Sequence, residues 1–346
     1  GTRMKSSLPK VLHPMAGRPL LQHVVDTALA LEPSAVHVVV GHGGNEVRKS
    51  LSDYPLKWVE QREQLGTGHA VMQALPHVGE QSTVLVLYGD VPLIRQSTLE
   101  ALVSLAGTGI ALLTARVKDP AGYGRILRDE VGLLRGVVEH KDATTEQLAI
   151  DEINSGVMAA PAAELRSYLP AVGNDNSQGE YYLPDVLSLA VREGKTVQSC
   201  LANSELEILG VNDRLQLNQV EREFQRRQGE QLLLDGVSVA DIDRLDVRGR
   251  LSAGRDVMID VNTVFEGEVV LEDGVCIGPN CVLKNVTVGA GAEIHAMSHL
   301  EDARVGANCS VGPYARLRPG TELATGARIG NFVETKKAVI GEGSKV

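Results

Sequence analysis

The 346-residue sequence has few aromatic side chains, few cysteines and no long apolar segment. Phe, Trp and Tyr make up only 3% of the residues, so a large aromatic core cannot organise the whole chain. No apolar run approaches the roughly 20 residues needed to cross a bilayer, which argues against a membrane protein. The formal net charge of −10 argues against nucleic acid or an anionic membrane as the main partner.

The cysteines form neither a CxxC pair nor a cluster with histidine at zinc-binding spacing. We interpret them as free thiols buried in a protein of the reducing cytoplasm. They are Cys200, Cys276, Cys281 and Cys309. No Ser-His-Asp or Cys-His arrangement stands out either, and phosphoryl chemistry does not need one.

In residues 1–212, short apolar runs alternate with segments of helical periodicity. The runs predict strands within 36–43, 83–90, 109–117, 153–160 and 206–211. The periodic segments predict helices at 20–31, 68–75, 97–105 and 180–193, the last with Pro184 in its first turns. This alternation indicates a doubly wound, Rossmann-like α/β sheet covered on both faces, with ligands at the C-terminal ends of strands.

Residues 213–244 are predicted to form a connecting helix and linker. Asp213 is the expected N-cap, and the helix runs to about Leu234. Its apolar side is expected to consist of Leu215, Leu217, Val220 and Phe224.

Residues 245–346 follow a different rule, because an apolar or small residue recurs at almost every sixth position. The series is Val247, Ala253, Ile259, Phe265, Leu271, Ile277, Leu283, Val288, Ile294, Leu300, Val305, Val311, Leu317, Leu323, Ile329, Thr335, Ile340 and Val346. Glycine follows several of these positions, and three steps of five residues suggest shortened corners. The pattern indicates a β-helix of hexapeptide repeats with three hexads in each coil. The last coil looks incomplete, so we expect the natural chain to continue.

The first stretch that suggests chemistry is GTR at residues 1–3, followed by Lys10. Gly1 and Thr2 suit a loop whose backbone approaches a phosphate, while Arg3 offers a planar fork and Lys10 a point charge. Pro9 fixes the backbone just before Lys10. A solvated surface is the alternative interpretation of these two cations.

Two oxygen-bearing side chains follow predicted strands. Asp90 ends the strand within 83–90, and Asn212 follows the run at 206–211. Both are placed to hold Mg²⁺ beside a nucleotide. The alternative is that each only caps a helix or stabilises a turn.

Two further groups suit small-ligand contacts. Gly66, Thr67 and Gly68 precede a helix and let a base or ribose lie against the backbone, whereas His69 is expected on the helix surface. Gly122 and Gly124 suit a tight backbone near a ligand. Glu139 and Asn154 are able to hydrogen-bond sugar hydroxyl or amide groups. Each of these residues, taken alone, also has a purely structural explanation.

Taken in order, these stretches resemble the bacterial bifunctional N-acetylglucosamine-1-phosphate uridylyltransferase/glucosamine-1-phosphate acetyltransferase family, over essentially the whole chain. The motifs are GTRM…LPKVLH, EQLGTGHA, LYGDVPL, GYGRI, VEHKDA, INSG, QGEYYLPD and GVNDRLQL, then GPYARLRPG and GNFVETKKA. The family's loop has the form L-x-x-G-x-G-T-R, of which only G-T-R is present. The front of the loop and the strand before it are therefore missing from the sequence.

The resemblance implies a uridylyltransferase that makes UDP-N-acetylglucosamine and pyrophosphate from UTP and N-acetylglucosamine 1-phosphate. Arg3 and Lys10 would contact phosphates, and Asp90 and Asn212 would hold Mg²⁺. The implied nucleotide-binding residues are Gln61, Gly66, Thr67 and Tyr88. The implied sugar-binding residues are Gly124, Glu139 and Asn154, with Tyr182 nearby.

For residues 245–346 the resemblance implies a left-handed β-helix that forms a cytoplasmic homotrimer and acetylates glucosamine 1-phosphate with acetyl-CoA. Arg318 and Lys336 would bind the phosphate of that acetyl acceptor. The family's acetyl-transfer histidine is expected just beyond Val346. The products feed peptidoglycan and lipopolysaccharide synthesis.

Three alternatives remain at this point. The chain is a nucleotidyltransferase for another sugar 1-phosphate, a non-catalytic scaffold subunit, or an acetyltransferase alone. The presence of Arg3, Lys10, Asp90 and Asn212 argues against a scaffold. An acetyltransferase alone would leave these residues unexplained.

Overall fold

A computed structural model of the chain describes residues 2–107 and 109–346. The chain divides into two compact units. One comprises the residues through His13 together with Pro19–Gln216, and the other comprises Pro14–Arg18 together with Leu217–Val346. Gly1, which we expected in a phosphate-binding loop, lies outside the described residues, as does the side chain of Thr2.

The first 216 residues contain most of the helices. The α-helices of the chain are α1 (Leu20–Leu29), α2 (Gly44–Ser50), α3 (Thr67–Ala74), α4 (Gln96–Ala106), α5 (Thr145–Leu148), α6 (Ala162–Tyr168), α7 (Asp185–Arg192) and α8 (Arg214–Leu234). The strands before α8 are β1 (Pro14–Met15), β2 (Arg18–Pro19), β3 (Val36–Val40), β4 (Leu56–Glu60), β5 (Thr83–Val86), β6 (Ala111–Arg116), β7 (Arg125–Arg128), β8 (Leu134–Val138), β9 (Glu152–Pro161) and β10 (Gln198–Leu201). Short 3₁₀ helices occupy Thr2–Met4, Lys10–Leu12, Leu75–His77, Leu169–Ala171, Glu205–Ile208 and Ile242–Arg244.

The main sheet of the first unit has the order β10-β6-β9-β7-β8, with β5 also paired to β9. The long strand β9 runs antiparallel to β5, β6 and β7, whereas β10 and β6 are parallel. The sheet is therefore mixed. Strands β3 and β4 form a separate parallel pair.

Both faces of this sheet are covered by apolar cores, as the continuously apolar strands predicted. On β6, Leu112 faces the core that includes α6 and α7, while Leu113 faces the core that includes α4. On β9, Met158 and Ala159 alternate between the same two cores. Because every residue of such a strand is buried on one face or the other, the strand reads as a continuous apolar run.

Several expectations need correction. Residues 206–211 are not a strand, because Glu205–Ile208 forms a 3₁₀ turn. Helix α7, predicted at 180–193, begins at Asp185, directly after Pro184, so 180–184 are not helical. The sequence patterns did not predict the following elements: β4, β7, β8, β10, α2, α5 and α6.

The second unit is built from parallel strands stacked in register. They are β11 (Ser238–Val239), β12 (Leu245–Ala253), β13 (Met258–Ile259), β14 (Thr263–Leu271), β15 (Cys276–Ile277), β16 (Val282–Val288), β17 (Glu293–Ile294), β18 (His299–Val305), β19 (Ser310–Val311), β20 (Arg316–Leu317), β21 (Thr321–Leu323), β22 (Arg328–Ile329), β23 (Glu334–Thr335) and β24 (Val339–Ile340). Paired residues lie 18 positions apart in Leu245–Thr263 and 17 apart in Val282–His299. One coil of a parallel β-helix therefore takes 17 or 18 residues, as the hexad pattern predicted.

The hexad positions point into the β-helix. From Val247 to Ile329 all of them are buried except Ala253, which is partly buried and packs on the same core. Thr335 is also buried, whereas Val346 is 54% exposed. A second buried position, two residues before most hexad positions, was not predicted; Val275, Cys281 and Ala292 are examples.

The register slips do mark shortened corners. Between β14 and β16 the pairing jumps from Glu266–Lys284 to Val269–Val286, so one coil has a residue more than the next. Asn285 turns the shorter corner at a φ of 52°. Its side-chain Oδ1 accepts from the Glu268 backbone N–H at 3.1 Å, replacing a missing ladder bond.

The cysteines are free thiols, of which Cys281 and Cys309 are buried and the other two are half-buried. In helix α8, Asp213 accepts from the Gln216 backbone N–H at 2.9 Å, as expected of an N-cap. Val220 is fully buried, but Leu215 is 69% exposed, so it does not belong to the apolar side of the helix. Among the described residues, no helix has the length and apolarity required to cross a membrane.

Candidate active site

Three residues from distant parts of the first unit meet at one point. The Lys10 ammonium donates to the Asp90 carboxylate, and it donates to Asn212 Oδ1 at 3.0 Å. Lys10 is 80 residues from Asp90 and 202 from Asn212, so only the fold brings them together. Two oxygens thus converge on one positive charge.

Local packing explains how Lys10 reaches Asp90. Pro9 is extended, and the 3₁₀ turn Lys10–Leu12 follows, closed by a Leu12 N–H to Pro9 carbonyl bond of 2.9 Å. A Cβ on Gly89 would lie only 3.0 Å from Leu21 Cδ1 and 3.4 Å from Val11 Cγ1. Glycine at position 89 therefore lets the segment that carries Lys10 approach the turn that carries Asp90.

Asn212 and Asp90 do not cap helices. The cap of α8 is Asp213, and α4 begins six residues after Asp90. The Asn212 backbone N–H donates to Gln216 Oε1 at 2.7 Å, which fixes the start of α8. The Val211 N–H donates to the Asp90 carbonyl at 2.9 Å, so the two segments run side by side.

The residues expected to bind the nucleotide form a connected group. Gln61 Nε2 donates to the Gly66 carbonyl at 3.1 Å, and the Leu183 N–H donates to Thr67 Oγ1 at 3.1 Å. Gly66 has a φ of 103°, and a Cβ on it would lie 2.7 Å from the Tyr181 carbonyl oxygen. The requirement for glycine here thus arises from packing within the protein.

His69 lies 3.1 Å from Gln61 Nε2 through Nδ1. It is half-buried and also contacts Gln73. We had expected His69 on the helix surface, and it is only partly exposed there. The contact orients the Gln61 amide towards Gly66.

Tyr88 connects this group with the residues expected near the sugar. Burial raises the pKa of Tyr88 to about 12, and the Glu139 and Asp90 charges add to the effect despite a hydrogen bond with Thr67. The phenol is therefore protonated at neutral pH. A Cβ on Gly156 would lie 2.5 Å from the Tyr88 ring, and the φ of Gly156 is 84°. Glycine at 156 is required on both counts.

Asn154, Gly124 and Glu139 lie together. The Asn154 N–H donates to the Gly124 carbonyl at 2.8 Å, and Asn154 Oδ1 accepts from the Gly156 N–H at 2.8 Å. A Cβ on Gly124 would lie 3.1 Å from Glu139 Oε1. Glycine at 124 thus leaves room for the Glu139 carboxylate.

Glu139 borders a cleft of about 380 Å³ whose lining also includes Asp142, Tyr182 and Asp185. Burial raises the pKa of Glu139, and repulsion from Asp185, Asp142 and Glu180 raises it further. Burial and Asp142 also raise the pKa of Asp185. The cleft therefore holds acidic groups whose pKa values lie above their ordinary range.

Arg3 is exposed on the turn Thr2–Met4, and within residues 2–107 and 109–346 it has no hydrogen-bond partner. Its assignment as a phosphate contact stays a prediction. In the second unit, Arg318 Nη1 donates to Glu334 Oε1 at 2.8 Å, and its backbone N–H donates to the Thr335 carbonyl. Lys336 follows Thr335 and is exposed. Arg318 chiefly, with Arg316 and Lys336, lowers the pKa of Glu334.

Sequence reasoning missed two polar residues close in sequence to Asn212. Gln216 holds the Asn212 backbone, and Glu207 is a fully buried carboxylate in the 3₁₀ turn before it. A charged residue inside the apolar run LEILGV was the available indication for Glu207.

Comparisons with known proteins identify the fold and the family of the chain. Residues 1–149 match the family model described as a MobA-like NTP transferase domain. A structure of apo UDP-glucose pyrophosphorylase superposes with a TM-score of 0.55 at 15% identity, covering 66% of this chain and 95% of that one. At this identity the similarity concerns the fold alone.

Curated relatives match the whole chain. The bifunctional protein GlmU of Marinobacter nauticus is 56% identical over 347 residues, which is 100% of this chain and 76% of the relative. The corresponding proteins of Chromobacterium violaceum and Alkalilimnicola ehrlichii are 56% and 54% identical, with 100% of this chain and 76% and 75% of theirs covered.

The fold and the matched domain define the class of protein, an NTP transferase domain followed by a parallel β-helix. Within that class the identity to the curated relatives is decisive. The chain belongs to the family of bifunctional GlmU proteins.

Proposed function

We propose that this chain transfers the uridylyl group of UTP to N-acetylglucosamine 1-phosphate, forming UDP-N-acetylglucosamine and pyrophosphate. Family membership and the NTP transferase domain support the reaction class. The observation that carries the proposal is the convergence of Lys10, Asp90 and Asn212 on one point of the first unit. A site for phosphoryl transfer needs such a combination of a cation and hard oxygen donors.

The donor set fits Mg²⁺. The Asp90 carboxylate and the Asn212 amide oxygen already share one cation, the Lys10 ammonium. Magnesium is bound through one or two protein oxygens, with water and substrate phosphates completing its shell. Among the described residues there is no cluster of three or more His, Cys, Asp or Glu side chains suited to a metal. Bound Mg²⁺ would supply charge neutralisation for the phosphates.

The chain's own residues position the two anionic substrates. A phosphate oxygen of the sugar phosphate attacks the α-phosphorus of UTP, and the bond from that phosphorus to the bridging oxygen of pyrophosphate breaks. The attacking oxygen carries no proton that must be removed, so no general base is required. Lys10 and Arg3 neutralise phosphate charge, which is the main barrier when two anions meet.

Gln61, Gly66, Thr67 and Tyr88 are the proposed nucleotide contacts. They form one connected group through the Gln61–Gly66 bond and the hydrogen bond between Thr67 and Tyr88. Because the Tyr88 phenol is protonated at neutral pH, its hydroxyl is able to donate.

Gly124, Glu139 and Asn154 are the proposed contacts of N-acetylglucosamine. They lie together beside the cleft that Tyr182 also lines, and a carboxyl group there accepts from sugar hydroxyl or amide groups. The Gly124–Asn154 backbone bond supports their use as one unit.

For the β-helix we propose acetylation of glucosamine 1-phosphate by acetyl-CoA in a homotrimer. Arg318 and Lys336 are the proposed phosphate contacts. They occupy matching positions in neighbouring coils, since the Arg316–Glu334 and Leu317–Thr335 pairs precede them. Both products serve peptidoglycan and lipopolysaccharide synthesis, which uses cytoplasmic UTP, so we propose a cytoplasmic location.

The test is a comparison of sugar phosphates. The purified chain is incubated with UTP and Mg²⁺ plus N-acetylglucosamine 1-phosphate or glucose 1-phosphate, and pyrophosphate and the UDP-sugar are measured. We expect rapid release only with the N-acetyl sugar. Faster release with glucose 1-phosphate would assign another sugar, and no release with either would point to a scaffold.

A further inference from the structure

Glu207 is a buried carboxylate for which the proposed reaction has no direct use. It lies in the 3₁₀ turn Glu205–Ile208 and is fully buried. In the part of the chain that the structure describes, no Lys, Arg or His forms an ion pair with it. A buried carboxylate is costly unless hydrogen bonds compensate for lost water.

Two backbone N–H groups provide that compensation. Glu207 Oε1 accepts from the Arg95 N–H at 3.1 Å, and Oε2 accepts from the Asn203 N–H at 3.1 Å. Arg95 is the residue just before helix α4, and Asn203 follows strand β10. One carboxylate therefore ties the turn that contains it to the segment leading into α4.

These ties lie between the two segments that carry the oxygen donors. Arg95 is in the loop after Asp90, and Glu207 is in the segment before Asn212. Closer to the donors, the Val211 N–H donates to the Asp90 carbonyl at 2.9 Å, and the Lys10 ammonium joins the Asp90 carboxylate to Asn212 Oδ1. The bond between Glu207 and Arg95 thus adds a further connection between the two segments, five residues along the chain from each donor.

We propose that Glu207 is a positioning residue that holds Asp90 and Asn212 at the separation needed to share a divalent cation. The inference rests on the proposed function, which assigns the cation to these two side chains. In this proposal Glu207 acts through the backbone N–H groups of Arg95 and Asn203 and not by contact with the cation. Groups that orient metal ligands in this way commonly change metal affinity by about 10–100-fold when removed.

The first variant is Glu207→Gln, which keeps the size but replaces one acceptor oxygen by an NH₂ group that faces a backbone N–H. Leu165→Ala is the control, because Leu165 is fully buried on α6 in a core away from these segments. Binding of Mn²⁺ alone is measured by the electron paramagnetic resonance of the free ion, and unfolding by circular dichroism.

We expect Glu207→Gln to bind Mn²⁺ about tenfold more weakly than the unsubstituted chain. Leu165→Ala is expected to lower the melting temperature and leave Mn²⁺ affinity unchanged. If Glu207→Gln loses stability as the control does but keeps its Mn²⁺ affinity, Glu207 is purely structural and the inference is overturned.

A gentler pair of variants covers the case in which Glu207→Gln does not fold. Arg95→Pro removes the backbone N–H that donates to Glu207. Arg95→Ala removes the exposed side chain but keeps that N–H. Proline already precedes helices α1 and α6. We expect weaker Mn²⁺ binding only in Arg95→Pro; equal affinity of the two variants overturns the inference.

The same titration distinguishes this inference from the proposed function. If the unsubstituted chain binds no Mn²⁺, the cation site itself is wrong and the inference is overturned with it. If it binds Mn²⁺ and releases pyrophosphate but Glu207→Gln and Arg95→Pro bind Mn²⁺ equally well, only the inference is overturned.

Discussion

The two units of this chain relate sequence to structure in opposite ways. In the β-helix, a residue's environment follows from its place in a hexad, and partners lie 17 or 18 residues away. In the first unit, the residues that meet at Lys10 are separated by 80 and 202 positions. The repeat therefore predicts the architecture of the β-helix but none of its site residues. The motifs of the first unit predict site residues but not the order or direction of the strands.

The largest expected effect concerns a contact that exists only through long-range folding. Lys10→Met removes the cation at the convergence point, and loss of one preorganised charge typically lowers kcat by about 10²–10³-fold. Lys49→Met, on an exposed position of α2, is expected to have no effect. Pyrophosphate release measures both, and a Lys10→Met rate equal to that of Lys49→Met would contradict the assignment.

A second prediction compares the two cores. Leu300 in the β-helix and Leu165 in the first unit are both fully buried, and each belongs to a different apolar core. Replacing either with alanine is expected to cost about 2–5 kcal/mol. Denaturant unfolding is followed by circular dichroism, and pyrophosphate release is measured at each denaturant concentration. The two measurements together show which unit has lost stability. Leu165→Ala should lower the denaturant concentration at which pyrophosphate release is lost. An equal shift in Leu300→Ala would contradict the assignment of the two residues to separate cores.

A third prediction compares glycines of positive φ. Gly156→Ala places a Cβ 2.5 Å from the Tyr88 ring. At Gly132, with a φ of 83°, none of the described residues other than its chain neighbours comes within 4 Å of the corresponding Cβ. Gly132→Ala should therefore cost only the left-handed strain, about 1–2 kcal/mol. Gly274 in the β-helix, with its nearest atoms at 3.8 Å, should behave like Gly132.

Gly156→Ala should cost more than either and should also raise the KM for UTP, because the Tyr88 ring must move. Chemical denaturation and initial-rate kinetics measure the two effects. Equal unfolding free energies for Gly156→Ala and Gly132→Ala would show that the ring contact is unimportant.

The smallest effects concern ion pairs. Arg128 donates to buried Glu152 and lowers its pKa, so the pair stabilises the fold above the unfolded pKa of about 4.3, and this is lost as pH falls through the folded pKa. Glu152→Gln should cost about 2 kcal/mol near neutral pH. Its melting temperature should approach that of the unsubstituted chain as the pH falls below about 4.3 and through the lowered pKa of Glu152 in the folded state.

Glu334 provides the comparison in the β-helix. Its pKa is also lowered, chiefly by Arg318, but the pair is exposed and screened by solvent. Glu334→Gln should therefore change the melting temperature far less than Glu152→Gln at neutral pH. A larger shift from the exposed pair would contradict this ranking.

Sequence periodicity predicted the β-helix almost residue by residue, because each inward side chain contacts only its own coil and its neighbours. It missed the second buried position, occupied by residues such as Cys281 and Ala292. These small side chains look no different from turn residues in the sequence.

The first unit was less predictable. Its apolar runs identified β3, β5, β6 and β9, since strands buried on both faces are continuously apolar. They did not indicate that β9 runs antiparallel to three strands, because pairing direction depends on connections far along the chain. The run at 206–211 was wrongly taken as a strand. Its Glu207 instead accepts from the backbone of Arg95, over a hundred residues away.

The central claim is that Asp90 and Asn212 form one cation site for uridylyl transfer. The most direct measurement is pyrophosphate release from UTP and N-acetylglucosamine 1-phosphate over a range of Mg²⁺ concentrations, for the unsubstituted chain, Asp90→Ala, Asn212→Ala and the exposed control Asp53→Ala. We predict release that requires Mg²⁺ and the sugar phosphate, is unchanged in Asp53→Ala, and falls by about 10²-fold or more in both site variants. Site variants as active as the control would contradict the account.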